Sequence, residues 1–128
     1  MAIEESLITI SVPAGADLSA KQFTFVKVNS SGQAVAAATA GEYVLGILQN
    51  KPSAAGRIAS VGILGVSKVV LDETVTPDDK IMTSADGQAA VGAAAAAPGN
   101  FITGQALIGG AAGEIGSVIL GPSGYLTS

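Results

Sequence analysis

The chain has no cysteine, no histidine and no tryptophan, and only three Phe and two Tyr among its 128 residues. Each absence removes a class of function. Without cysteine there is no disulfide, no thiol nucleophile and no thiolate metal site. Without histidine the commonest general base and the commonest metal ligand are gone. Basic residues are few: six Lys and Arg against ten Asp and Glu leave a net charge of −4. No basic run is present to track a phosphate backbone, which speaks against nucleic-acid binding. No apolar run reaches the roughly 20 residues of a membrane span. The start, Met1-Ala2-Ile3-Glu4-Glu5, is acidic where a signal peptide is basic, so the sequence reads as a soluble protein made in the cytoplasm.

Charge is missing by region as well. Every Lys and Arg lies between Lys21 and Lys80, and from Ile81 onward the only charged side chains are Asp86 and Glu114. A free monomer needs more surface charge than that to stay soluble, so this half is expected to be covered by the fold, a homo-oligomer or a partner.

What the chain does have is small aliphatic residues and 17 glycines, with 48% of residues apolar. The length is that of one domain. Each buried aliphatic side chain contributes only about 1.5–3 kcal/mol, and alanine less, so the margin over conformational entropy is small and association would help.

The sequence also repeats itself. Y-V-L-G-I-L-Q from Tyr43 and A-A-G-R-I-A-S-V ending at Val61 are echoed by F-I-T-G-Q-A-L-I from Phe101 and A-A-G-E-I-G-S-V ending at Val118. Gly46 maps to Gly104 at an offset of 58, Gly56 to Gly113 at 57, and Gly32 to Gly87 at 55. Two copies are too few for a solenoid, so an internal duplication within one domain is expected.

Period-two alternation and β-branched residues predict strands at 7–12, 23–28, 33–38, 42–49, 57–71, 101–108 and 114–120, with a short one after Lys80. Asn29–Gly32 and Asp86–Gly87 read as turns, and Gly46 inside a strand marks a bulge or a close backbone approach. Five consecutive alanines at 93–97 favour helix, but the run is short and bounded by Gly92 and Pro98, so it reads as a loop with at most one helical turn. Pro13-Ala14-Gly15 separates residues 7–12 from the rest, either as an ordinary edge strand or as an arm that pairs with another chain. The expected organisation is all-β: a compact small barrel-like or sandwich-like domain over 18–120, with pseudo-repeats 18–71 and 75–120. It carries an extended N-terminal arm at 1–17 and a tail at 121–128.

No catalytic constellation emerges. The adjacent carboxylates Glu4-Glu5, Asp72-Glu73 and Asp78-Asp79 point apart on a strand or turn rather than across a cleft. The glycines form no phosphate-binding motif. Asp79-Lys80-Ile81 is slightly similar to the lysine hairpin of lipoyl carrier domains, though Lys80 falls at a strand start. No enzyme activity, cofactor or metal is expected.

L-S-A-K at 18–21, A-T-A-G-E-Y-V-L-G-I-L at 38–48, A-A-G-R-I-A-S-V-G-I-L-G-V from Ala54, and the later I-T-G-Q-A-L and A-A-G-E-I-G-S-V-I-L together resemble the head-decoration, or capsid cement, proteins of tailed bacteriophages. The resemblance implies a β-rich homotrimer on the outer surface of the virion capsid, bound to the major capsid protein and stabilising the head, with an N-terminal arm touching the shell. On that reading, and from pattern alone, Ile3, Glu4, Glu5, Leu7, Ile8 and Ile10 are the expected capsid contacts. The alternatives are a lipoyl-like carrier or small-ligand barrel, and a head fibre or spike component.

Overall fold

The computed structural model describes residues 6–92 and 100–126, the last five as backbone. Its strands are β1 (Leu7–Pro13), β2 (Phe25–Val28), β3 (Ala34–Ala36), β4 (Gly46–Leu48), β5 (Ile58–Val70), β6 (Lys80–Thr83), β7 (Ala89–Val91), β8 (Asn100–Ile108) and β9 (Ile115–Leu126). No helix occurs among the described residues. The strands pair in the order β3-β2-β4-β5-β9-β8-β6-β7, with β1 on β5, and every one of these pairings is antiparallel. The all-β class expected from short, glycine-bounded apolar runs is the class the chain adopts, as one curled sheet.

The pairing registers repeat along the chain. On β2 and β3, Val26 faces Ala36 and Val28 faces Ala34; on β6 and β7, Ile81 faces Val91 and Thr83 faces Ala89, each 55 residues later. Gly46 opposite Val26 becomes Gly104 opposite Ile81, and Leu48 opposite Val61 becomes Ala106 opposite Val118. The correspondence reaches β1: Ile10 opposite Val61 and Val12 opposite Ala59 become Ser67 opposite Val118 and Val69 opposite Gly116. β5 is therefore shared. Its first half closes the first copy, and residues 65–70 open the second in the place that β1 holds in the first. Backbone detail follows the same offsets. Phe23 and Asp78, 55 residues apart, are the non-glycine residues with positive φ among the described residues, at 63° and 83°.

The matched glycines show why the register recurs. A Cβ on Gly46 would lie 2.0 Å from the Gly62 carbonyl oxygen, and one on Gly104 would lie 2.3 Å from that of Ile119. At both places two backbones approach too closely for any side chain.

Several expected boundaries move. Residues 7–13 are not a free arm: β1 pairs with β5 along its length, and Ile10 and Val12 pack on a core. The alternation is that of a strand with one face buried, and the Pro13-Ala14-Gly15 break that left an arm open only marks its end. A division at 18–71 and 75–120 omits β1 and cuts after β5, whereas the pairing places the division inside β5. The tail expected from 121 is the end of β9, where Gly124 and Leu126 pair back on Ile102 and Asn100. Pro122 is tolerated because it falls in the register shift between Ile102 and Gly104, where no ladder donor is needed. The strand expected at 42–49 shrinks to β4 because Gly41, with φ of 74°, and the Glu42 carboxylate hold a turn before it. The alanine run at 93–97 and the expected contacts Ile3, Glu4 and Glu5 lie outside the described residues.

Two cores result. The first gathers Leu18, Val26, Leu48 and Val61 around Ala14, Ala34 and Ala59. The second holds the corresponding Val75, Ile81, Ala106, Val118, Leu71 and Ala89, and adds Phe25, Ile47 and Val44 from the first copy. Phe25 and Ile47 face each other on β2 and β4 and are fully buried where one copy rests on the other. Their counterparts Lys80 and Gln105 also face each other, but are exposed. A stacked array ends on such a polar face.

Candidate functional site

Gly62 pairs with Thr9 of β1 and Ile47 of β4; Gly65 pairs with Leu7 of β1 and Leu120 of β9. β4 and β9 therefore share the edge of β5 opposite β1. Between them Ile63 and Leu64 have no strand partner on that edge among the described residues, and the sheet opens into a cleft of about 280 Å³. Corresponding residues of the two copies line it: Tyr43 with Phe101, Val44 with Ile102, Leu45 with Thr103, Ile63 with Leu120. The Tyr43 and Phe101 rings lie 5.1 Å apart at 58°, and Tyr43 is 66% exposed at the mouth.

Lys27 lines the cleft, and its ammonium pairs with Glu42 at 2.9 Å. The Glu42 carboxylate also accepts the backbone N–H groups of Ala38 and Thr39, at 2.7 and 2.8 Å. Burial pushes this carboxyl up, but the Ala38 N–H, the Lys27 ammonium and the Thr39 N–H outweigh it and hold the group below the usual glutamate range. Thr103 donates its hydroxyl to the Ile81 carbonyl. Of the polar side chains of the cleft, Lys27 and Thr103 are thus already engaged, and the walls between them are mainly aliphatic and aromatic.

Of the carboxylates noted in the sequence, Asp79 holds a turn, while Asp78 and Glu73 tie distant segments together. Asp79 accepts from the Thr76 N–H and hydroxyl, Asp78 from the Gln105 amide, and Glu73 from the Val91 N–H. Among the described residues no group of three or more acidic, His or Cys side chains could hold a metal ion. Lys80 is the first residue of β6, opposite Gln105, not the tip of a hairpin.

Of the expected capsid contacts, Leu7 and Ile10 are half-buried against the protein's own cores. Ile8 is 55% exposed and lies opposite Leu64, itself 48% exposed. A further apolar exposure, not expected from the sequence, lies on the second copy at Leu107, Ile108, Ile115 and Ile119. The signal was present: β9 carries Val118 and Leu120 toward the core and Ile115 and Ile119 away from it, so it is apolar on both faces, like a strand covered on both sides.

No protein-family model matches the chain, and no curated protein matches it. Among solved structures it is similar to the head fiber gp8.5 N base of bacteriophage phi29, with a TM-score of 0.60 over 91% of this chain and 95% of that one, at 15% sequence identity. At that identity the likeness is one of fold.

Proposed function

We propose that the chain is a structural, non-enzymatic protein of a tailed-bacteriophage virion, attached to the outer surface of the head as a decoration or cement protein. Its partner is the major capsid protein, and it binds as a homotrimer. The observation that carries this reading is the fold shared over nearly its whole length with the base domain of a phage head fibre. The exposed aliphatic side chains of the second copy, Leu107, Ile108, Ile115 and Ile119, support attachment to a partner surface. Ile8, exposed at the β1 edge, remains a contact in this reading. A ligand that binds only the assembled shell stabilises that state by mass action. Heads assembled without this chain should therefore release DNA at a lower temperature than decorated heads, and electron microscopy should place the chain on the outer shell.

The identity of the similar structure favours a second reading, in which the chain is the base of a head fibre. Undecorated heads would then survive heating as well as decorated ones while lacking a projecting density. Absence of the chain from purified virions would refute both readings.

A further inference from the structure

The two copies place different side chains on the same backbone, which supplies an internal control. On the sheet face turned away from the second core, Val66 of β5 lies opposite Ile119 of β9, and Ile108 of β8 lies opposite Ser117. Ile108, Ile115 and Ile119 are 46%, 54% and 42% exposed, and Leu107 at the adjoining register shift is 40% exposed. In the first copy the places of Leu107, Ile108, Ile119 and Val66 are held by Gln49, Asn50, Gly62 and Thr9. The fold thus forms without aliphatic residues at those four places; Ile115 is the exception, since its counterpart is Ile58, itself 56% exposed. Gln49 and Asn50 even tie down their surroundings, donating to Ser67 and to the Ile58 carbonyl, with Asn50 also accepting the Ser60 N–H. Leucine and isoleucine can make none of these bonds, so folding gives no reason for them at the surface. A covering partner does.

We propose that this face of the second copy docks the protein onto the head, and that its occupant is an uncharged, aliphatic surface of the shell polypeptide. The proposal rests on the virion reading above. The face asks for little charge: Lys68 is the only charged residue in 65–70, β8 and β9, and its ammonium already sits 5.8 Å over the Phe23 ring. A second copy stacked end to end, as the chain's own two copies are, fits less well. The chain's own copies stack through Phe25 and Ile47, and the corresponding Lys80 and Gln105, with Asp78 bonded to Gln105, present a polar surface to any further repeat seated the same way. The exposed aliphatic side chains lie elsewhere, toward the β8–β9 turn, where the shell can meet them. The Ile8–Leu64 pair continues the face past Val66.

The test gives the second copy the residues that the first already tolerates, as the double variant Leu107→Gln with Ile108→Asn, and adds Ile115→Lys as an independent single change at an exposed site. Heads assembled without this chain are titrated with full-length wild type and each variant. The expected result is saturable coating by wild type, and at least tenfold more of each variant needed for half-coating. Circular dichroism and solution mass should match wild type. Variants that coat heads as well as wild type overturn the docking face. A variant that loses its oligomeric mass together with binding also overturns it, because the face then lies between copies. If wild type itself coats no heads, the virion reading fails, and this proposal with it.

Discussion

Replacing either of two glycines with alanine should cost the fold about the same, although they stand 58 residues apart. A methyl at Gly46 falls about 1.4 Å short of ordinary contact with the Gly62 carbonyl oxygen, and one at Gly104 about 1.1 Å short with that of Ile119. The obstacle in each case is the backbone of a paired strand, which cannot rotate aside like a side chain. β4 must separate from β5, or β8 from β9, weakening ladder bonds worth about 1 kcal/mol each on top of an overpacking cost of about 1–3 kcal/mol. Each variant should lose about 3 kcal/mol, which for a domain of this size lowers Tm by about 10 °C. Gly56 and Gly113 are the matched control: φ is 88° and 86°, and nothing lies within 4 Å of an added Cβ. Alanine there meets only left-handed backbone strain, about 1–2 kcal/mol. Thermal unfolding followed by circular dichroism at 218 nm, about where β structure absorbs, measures all four. A Gly46→Ala protein melting within about 2 °C of wild type would refute the close approach. A severe Gly46→Ala beside a silent Gly104→Ala would refute the equivalence of the copies.

Deleting residues 2–12 should abolish cooperative unfolding rather than release an intact domain, because β1 covers Ala59 and Val61; a truncated protein with a native transition would return the segment to the status of an arm. Phe25→Ala should cost about 3–5 kcal/mol in a denaturant titration, as a fully buried aromatic truncated to a cavity, while Lys80→Ala at the corresponding exposed site should stay within about 0.5 kcal/mol. The Glu42 carboxyl titrates below its unfolded value of 4.5, so its contribution is present above that pH and is lost as pH falls through the lower folded value. Glu42→Gln should accordingly melt below wild type at pH 7, with the gap closing under pH 4.5; a gap independent of pH would dissociate the ion pair and the N–H contacts from stability.

The strands at 7–13, 58–70, 80–83 and 100–108 were legible because alternation and β-branching are local properties. So was the repeat, since a carbonyl-to-Cα approach at Gly46 demands glycine again at Gly104 once the register recurs. β4 was overextended because the turn before it is held by a carboxylate reaching back to Ala38 and Thr39, which no periodicity records. The sharing of β5 was hidden too. Residues 58–70 read as one long strand, and only pairing shows that its halves belong to different copies. The exposure of Ile115 and Ile119 was hidden as well, since it depends on which face the neighbouring strands leave open.

Polar residues at the end of the second copy imply a last prediction. Phe25 and Ile47 join one copy to the next, and Lys80 and Gln105 stand in their places where a third copy would follow. The surface that would receive a further repeat is intact on the first copy. In the second copy, Thr83 is fully buried and its carbonyl accepts the Gly41 N–H; the corresponding Val28 of the first copy is 44% exposed. Likewise the Gly87 carbonyl accepts the Phe25 N–H, and the corresponding Gly32 sits in an exposed turn. The double variant Lys80→Phe with Gln105→Ile rebuilds the apolar pair, and burying it should contribute about 4–5 kcal/mol between molecules. That contact is heterologous, so one chain's second copy would seat against the first copy of the next, and the series need not close. Sedimentation velocity should show a ladder of masses that lengthens with concentration, reversed in the single revertant at position 80. A variant with the wild-type mass at every concentration would mean that the two polar residues do not end the array, and that the stacking of the copies depends on the covalent connection through β5.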